Sequence, residues 1–288
     1  DPQGDAAALD RLTLWALRRY APICAADPPE GLALDVTGAA HLKGGELALL
    51  VDMQTRLAQV GVPCHAVMAP SYGAAHALAR YAPDRHLIAE GEIGRNIGDL
   101  PLRALRLPTD LAEDLGRLGF ETILDLERQP RAPLCLRFGP QVGRRLDQAF
   151  NRMAEPLAPI EDESLARVER VFADPIGAAE TLARYIAQLV DDLCAVLERG
   201  GLGARRLDLL CVRVDAQIET VRVGLASPTR DTKRLTRLVC DQIESIAPGF
   251  GIERMTLTAV IAEPLDWRPA PSRLGETAPA DITGLVDV

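Results

Sequence analysis

The chain has 288 residues, enough for one large domain or for two to three smaller ones with their own cores. Its 48% hydrophobic and 25% charged residues are typical of a globular protein, and no apolar run approaches the roughly 18 residues that a membrane span needs. The net charge of -9 excludes a chain that is basic throughout, although it allows local basic patches. Because no signal segment opens the chain, we expect a cytoplasmic protein without a membrane segment.

The two ends and the cysteines set further expectations. The chain starts at Asp1 and ends in DITGLVDV, which predicts a piece of a longer protein. Its six cysteines stand singly, with no CxxC pair and no histidine at metal-ligand spacing, and its four histidines are scattered. We therefore expect buried free thiols, no metal site and no cofactor.

Residues 1–95 are predicted to form part of an α/β layer. LDRLTLWALRRY favours a helix that ends before Pro22, and GLALDVTG favours a short strand that ends in a glycine turn. Further along, ELALLVDMQTRLAQVG is typical of an amphipathic helix, VPCHAVMAP of a second strand and SYGAAHALARYA of another helix. The order helix, strand, helix, strand, helix indicates half of such a layer.

Residues 96–156 change character and are predicted to form a small all-helical domain. Short helical stretches are separated by LPTD, LGF and RFGP, and almost nothing between them is typical of a strand. Residues 157–164 lie in EPLAPIEDES, whose prolines and acidic residues predict a linker.

Residues 165–265 carry the pattern βαββαβ. VERVFADP predicts a strand, and IGAAETLARYIAQLVDDLCAVLERGG a long helix that ends at Gly200 and Gly201. LDLLCVRVDAQIETVRVGLASP predicts two strands around a turn near Asp215 and Ala216.

A second helix and a last strand complete this pattern. The helix is TRDTKRLTRLVCDQIESI, begun by Thr229 or Asp231, and the strand is IERMTLTAVIAEP. The order is that of a split ferredoxin-like sandwich, which leaves the face of the sheet opposite the helices free for binding. Residues 266–288 are assigned to a C-terminal tail.

Asp35 is the single carboxylate in the apolar stretch GLALDVTG. Metal-dependent phosphoryl transfer needs two or three convergent carboxylates to hold its ions. The next residue is Val36, and no acid follows until Glu46. Spacing alone therefore favours a structural aspartate that opens a turn near Thr37 and Gly38.

A second set of candidate residues is basic. Arginines on neighbouring strands of an open sheet, together with a basic helix start, can track a phosphate backbone. Acidic residues lie between them, so a solvated face of mixed charge is the alternative. The candidates are Arg205, Arg206, Arg213, Arg222, Arg230, Lys233 and Arg234.

In order and motif these segments resemble the Y-family translesion DNA polymerases, and within them the ImuB-type branch of polymerase-like proteins. GLALDVTGAAHLKGGE is similar to a palm segment that reads close to GLxLDVTGCAHLFGGE in that branch. VMAPSYGAAHALARYA resembles the palm strand and helix that follow, and LPLRALRLP through RFGPQVGRRLDQAF resembles the thumb. LARVERVFADP to GFGIERMTLTAVIAEPL, including GLASPTRD, resembles the little finger. The resemblance implies a multidomain α+β fold of partial palm, small all-helical thumb and little finger.

The resemblance gives Asp35 a meaning in either of two registers. In the first, Asp35 falls on the palm aspartate of active members and Val36 on the adjacent glutamate, so that Asp35 is the relic of a catalytic metal site. In the second, LDVT matches a non-catalytic LDVT, and Asp35 was never a ligand. Both registers leave the chain without the carboxylate pair. In the thumb, LPTD replaces the glycine hairpin that grips DNA in active members.

These departures favour a catalytically deficient protein that binds primer-template DNA through the little finger and acts as a scaffold in error-prone translesion synthesis and DNA repair. The family implies three further partners: the sliding clamp, an ImuA-type accessory protein and a replicative-type error-prone polymerase. A clamp-binding peptide would fall near PAPSRLGE, residues 269–276. There Ser272 stands where glutamine is wanted, and no phenylalanine follows Leu274.

Two alternatives stay open. The first is an active Y-family DNA polymerase that uses Mg²⁺ once an N-terminal segment outside this chain completes its metal site. The second is a protein-interaction module without a DNA role. Primer extension tests the first alternative, and salt-dependent binding to DNA tests the second.

Overall fold

The computed structural model describes residues 2–82 and 87–265. It divides into two compact units, one made of the residues up to Lys43 together with those from Pro156 onward, the other of Gly44–Glu155. The predicted boundary between residues 95 and 96 lies inside the second unit. Helices and strands both occur, which confirms the α+β class. Within the described ranges, no helix is long and apolar enough to cross a membrane.

The first unit opens with a helix and a β-hairpin. Helix α1 (Pro2–Arg19) ends before Pro22, as predicted. Strand β1 (Ile23–Asp27) then pairs antiparallel with β2 (Gly31–Asp35). The sequence predicts only β2, because the alanine-rich ICAAD lacks the β-branched alternation of a typical strand. Pairing with β2 makes ICAAD a strand.

In the described part of the second unit, residues 44–82 and 87–155, seven α-helices follow one another along the chain. The prediction that VPCHAVMAP forms a strand is wrong, since in this stretch only Met68 makes an isolated bridge, to Leu87. A run of apolar residues without a neighbouring strand cannot complete a ladder. The helices are α2 (Glu46–Gln59), α3 (Tyr72–Tyr81), α4 (Ile93–Ile97), α5 (Thr109–Arg117), α6 (Ile123–Glu127), α7 (Arg131–Phe138) and α8 (Pro140–Ala149).

Close packing of α3 against α8 explains why the second unit crosses the predicted domain boundary. A Cβ atom at Gly73 would lie 2.8 Å from the Cα of Ala149, a distance that only glycine allows. Ser71 caps α3 and donates its hydroxyl hydrogen to the Ala149 carbonyl at 2.9 Å. These contacts tie the SYGAAHALARYA helix to the helical tract instead of to a palm-like layer.

Residues 166–264 of the first unit form the predicted βαββαβ module. The strand order β3-β6-β4-β5 is antiparallel throughout, with β3 and β5 at the edges. Asp231 caps the second helix, as the sequence indicates. The elements are β3 (Ala166–Ile176), α9 (Ala179–Arg199), β4 (Leu202–Arg213), β5 (Ile218–Thr229), α10 (Thr232–Cys240) and β6 (Ile252–Pro264).

Alternation along the strands separates the two faces of this sheet. On β4, Leu207, Leu209 and Cys211 are buried in one core with the apolar stripe of α9. Residues that alternate with them, such as Arg206 and Asp208, lie on the opposite face. We call this opposite face the outer face of the sheet. It is the face on which the sequence predicts binding.

Candidate nucleic-acid interface

Asp35 ends β2 and accepts a backbone hydrogen bond. Its Oδ1 accepts from the Thr37 amide at 2.9 Å, which closes an Asx turn. Gly38 follows with φ +71°, a left-handed conformation that favours glycine. This is the structural role that spacing alone favours, and it fits the second register of the family motif. In residues 2–82 and 87–265, no group of three His, Cys, Asp or Glu side chains is placed to hold a metal ion.

A buried ion pair crosses the outer face of the sheet. Arg222 donates from Nε to Asp208 Oδ1 at 2.6 Å and from Nη2 to Oδ2 at 2.5 Å. The two residues stand directly opposite each other on β5 and β4. Their side chains are 1% and 3% exposed, respectively. Burial raises the pKa of Asp208, and the positive charge of Arg222 opposes that shift.

The N-terminal segment covers this part of the outer face. Arg222 Nη2 also donates to the Leu17 carbonyl at 2.6 Å, and Arg206 Nη1 donates to the Arg18 carbonyl at 2.7 Å. The last carbonyls of α1 have no partner inside the helix, so the arginines supply the missing donors. Thr220 donates its hydroxyl hydrogen to the Thr37 carbonyl at 2.8 Å.

The expectation of a free outer face is therefore wrong where α1 and the turn after β2 lie on it. The prediction that Arg222 contacts DNA does not fit this structure either, because its guanidinium is enclosed and cannot reach a phosphate backbone in this arrangement. Arg206 is half-buried. Burial, followed by the like charge of Arg222, lowers its pKa.

Arg213 is held by acidic residues of the same hairpin. Its Nη2 lies 2.6 Å from Asp215 Oδ2, and its Nη1 lies 3.2 Å from Glu219 Oε1. The tight turn predicted near Asp215 and Ala216 is confirmed, with Ala216 at φ 62°. A phosphate would have to displace two carboxylates to bind Arg213.

Arg205 and Arg230 also contact protein groups. Arg205 Nε lies 3.5 Å from Glu263 Oε1, a half-exposed pair that contributes little to stability. Arg230 donates from Nη1 to the Leu202 carbonyl at 3.2 Å. Both guanidinium groups remain partly accessible, so an added anion could exchange for these weak contacts.

The start of α10 holds the most open of the predicted basic residues. Lys233 is exposed, and so is Arg237 one turn further along, whereas the other six predicted residues are half-buried or buried. Asp231 accepts from the amides of Lys233 and Arg234 at 3.0 and 3.1 Å, which fixes the first turn. Lys233 and Arg237 are four residues apart and share one helix face.

The sequence-based choice missed two arginines on the other half of the outer face. Arg254 is exposed on β6 and has no ion pair within the described residues. Arg167 on β3 lies 3.3 Å from both Glu161 and Glu169. Period-two alternation in IERMTLT, with Met255 in the core, could have placed Arg254 on this face.

The cysteines offer no reactive group near these residues. All six are free; Cys24, Cys194 and Cys211 are buried as expected, whereas Cys64 is exposed. Burial raises the pKa of Cys24 to about 12, so its thiol is protonated at neutral pH and is a poor nucleophile.

The LPTD turn and the predicted clamp-binding segment are two further features that the sequence singles out. The LPTD turn is the start of α5, where Pro108 precedes the first helical residue, Thr109. The predicted clamp-binding segment at 269–276 lies outside the described residues.

Sequence comparison relates the chain to known proteins. Residues 167–273 match the impB/mucB/samB family C-terminal domain. Over 283 residues the chain is 42% identical to Protein ImuB of Caulobacter vibrioides, in strains NA1000 / CB15N and ATCC 19089 / CIP 103742 / CB 15. The match covers 98% of this chain and 62% of each relative, so the chain spans less than two thirds of their length.

Comparison with solved structures finds polymerases of low sequence identity. A Dbh ternary complex has a TM-score of 0.42 and 15% identity over 87% of this chain and 76% of that one. DinB from Sulfolobus solfataricus has a TM-score of 0.41 and 16% identity over 88% and 76%. The little finger domain of PolIV, in complex with the β-clamp processivity factor, has a TM-score of 0.30 and 20% identity over 39% and 99%. The sequence matches confirm the predicted resemblance to ImuB-type proteins: the chain is similar to Protein ImuB over nearly its whole length, and residues 167–273 match the impB/mucB/samB family C-terminal domain.

Proposed function

We propose that this chain is part of a catalytically deficient, polymerase-like protein that binds primer-template DNA and acts as a scaffold in error-prone translesion synthesis and DNA repair. The observation that carries the proposal is 42% identity to the ImuB proteins over 98% of the chain. The placement of Asp35 supports the catalytic part of the proposal. Its carboxylate bonds the Thr37 amide, and no metal-binding group of acidic residues occurs in the described ranges.

The proposal includes partners that a scaffold of this branch would bring together. They are the sliding clamp, an ImuA-type accessory protein and a replicative-type error-prone polymerase that performs the synthesis. The family resemblance is the support for all three. Pull-down of each purified partner with the full-length protein would test them one at a time.

Primer extension tests the lack of polymerase activity. We expect the full-length protein, with Mg²⁺ or Mn²⁺, to add no nucleotides above background to a primer-template, because two or three convergent carboxylates are needed to hold the two ions. Asp35→Ala should give the same result as the wild type. A working Y-family polymerase on the same substrate serves as the positive control. Robust incorporation that disappears in Asp35→Ala would show an active polymerase and reject the scaffold reading.

Charge reversal at the start of α10 tests DNA binding. The variant Lys233→Glu with Arg237→Glu is expected to weaken binding to primer-template DNA by about tenfold at low salt. The plot of log affinity against log salt should become shallower by about two units if both side chains neutralise phosphates. Fluorescence anisotropy with a labelled primer-template measures both quantities.

The matched control for this experiment is Arg184→Glu. Arg184 is exposed on α9 and has no ion pair within the described residues, so its reversal changes charge without removing a proposed contact. We expect its DNA affinity to stay within about twofold of the wild type. If the wild type does not bind DNA even at low salt, a protein-interaction module without a DNA role is favoured instead.

A further inference from the structure

A basic cleft lies where the second half of α1 meets the start of β4 and the end of β6, all within the first unit. Its volume is about 540 Å³. Leu14 and Ile261 supply apolar wall, and no carboxylate lines the cleft. The other lining residues are Arg11, Trp15, Arg18, Arg19, Lys43 and Arg206.

The positive charge of the basic cleft is only partly neutralised by the protein. Arg18 is paired with Asp162, whereas Arg11 and Arg19 make no ion pair with any described residue. Burial lowers the pKa of Arg206; repulsion from Arg222, Arg19 and Arg205 acts in the same direction, and the charge of Asp208 opposes it. Cations held close together with fewer anions beside them raise one another's free energy. A bound anion would relieve that repulsion.

Two hydrogen-bond donors at the basic cleft point to the same kind of ligand. The Nε–H groups of Arg19 and Arg206 are buried, and neither has an acceptor within the described residues. A buried donor without an acceptor costs free energy that a suitable oxygen would recover. Phosphate oxygens accept strong, charge-assisted hydrogen bonds from guanidinium groups.

Trp15 adds an aromatic surface beside these cations. Its ring is half-buried and meets Tyr20 edge to face at 5.3 Å between centroids, which fixes its orientation. The Arg19 guanidinium carbon lies 6.0 Å from the Trp15 ring centroid. Basic grooves with an aromatic platform are typical of single-strand binding, because phosphates meet the cations while bases stack on the ring.

We propose that the basic cleft binds an unpaired segment of a DNA strand, with phosphates at Arg11, Arg19 and Arg206 and a base against Trp15. The inference rests on the proposed function only in that the protein works on DNA. It uses residues of α1 that are separate from the Lys233 and Arg237 pair. An unpaired template segment is the chemistry expected beside a primer-template junction.

Tryptophan fluorescence tests the proposal directly. The chain has two tryptophans, so Trp267→Phe leaves Trp15 as the single reporter. Titration of this variant of the full chain with a 12-residue oligothymidylate at low salt should quench the emission. Arg11→Glu with Arg19→Glu should weaken the affinity by at least tenfold, whereas Arg184→Glu should leave it within about twofold. If the double variant fails to fold, Arg11→Gln, a milder change at an exposed position, serves instead. It should weaken the affinity for the oligonucleotide about threefold.

Two further arms decide between outcomes. Thymidine triphosphate and inorganic phosphate are titrated in the same way. If the triphosphate saturates the quenching at a lower concentration than the oligonucleotide does, the proposal of a bound strand is overturned in favour of a nucleotide pocket. Absence of quenching by the oligonucleotide, or equal affinity in the Arg11 and Arg19 variants, would also overturn it. If primer-template binding still depends on Lys233 and Arg237 in that case, the proposed function is supported although the cleft proposal is rejected. The two proposals can therefore fail independently.

Discussion

Replacing Asp208 by alanine is expected to lower the free energy of unfolding by roughly 3–5 kcal/mol, because removing one partner of a buried ion pair leaves the other charge without compensation. The Arg222 side chain is 1% exposed, and its remaining charge would face the Leu17 carbonyl alone. Its Nη1 already has no acceptor within the described residues. Urea unfolding followed by far-UV circular dichroism measures the change.

A double variant supplies the control for this prediction. Asp208→Leu with Arg222→Met removes both charges and keeps apolar volume, so it should regain most of the loss, since a buried pair rarely exceeds its hydrophobic replacement. If Asp208→Ala lowered the free energy of unfolding by less than about 1 kcal/mol, the pair would behave like an ordinary exposed ion pair. The outer face would then be open to solvent at this position. Arg222 would then again be a candidate for DNA contact.

The pH dependence of the stability of Arg222→Met tests the same ion pair by removing its positive partner. Burial raises the pKa of Asp208, and the variant removes the positive charge that opposes the shift. The folded variant then binds more protons than the unfolded chain above the ordinary aspartate pKa, so its stability falls as pH rises. We expect this variant to be less destabilised at pH 5 than at pH 8. Asp208→Ala should show no such trend, because arginine keeps its proton throughout this range.

Local patterns in the sequence were sufficient to predict the βαββαβ module. Period-two alternation marks β4 and β5, the stripe of α9 marks its buried face, and Asp231 marks the start of α10. Even the opposition of Asp208 and Arg222 follows from the predicted turn near Asp215, since the two residues are equally distant from it along the hairpin. Within this module the sequence predictions are confirmed because their determinants lie within a few residues of one another.

The contacts that the sequence could not reveal join distant parts of the chain. Arg222 meets the Leu17 carbonyl across 205 positions, and Arg206 meets the Arg18 carbonyl across 188. A backbone carbonyl carries no side-chain signature, so nothing in LWALRRY marks it as the partner of an arginine. The covered outer face and the basic cleft both depend on this placement of α1. For the same reason, the arginines of α1 were absent from the predicted binding residues.

Gly38→Ala is expected to lower the free energy of unfolding by about 2–5 kcal/mol, which combines left-handed strain with a clash. Gly38 has φ +71°, and an added Cβ would lie 2.5 Å from the Thr220 carbonyl oxygen on β5. Gly201→Ala is the matched control, because Gly201 belongs to the same unit, has φ +65° and has nothing within 4 Å of the Cβ position. It should lose only about 1 kcal/mol, the part due to backbone conformation.

The difference between the two glycine variants, measured by urea unfolding, isolates the contact between the turn after β2 and strand β5. A difference of 1 kcal/mol or more places Asp35 in a turn that lies against the sheet, where its carboxylate is bonded to the Thr37 amide. Equal losses would mean that Gly38 has no close neighbour. The LDVTG motif would then be free of β5, and Asp35 would be open to a role other than closing the turn.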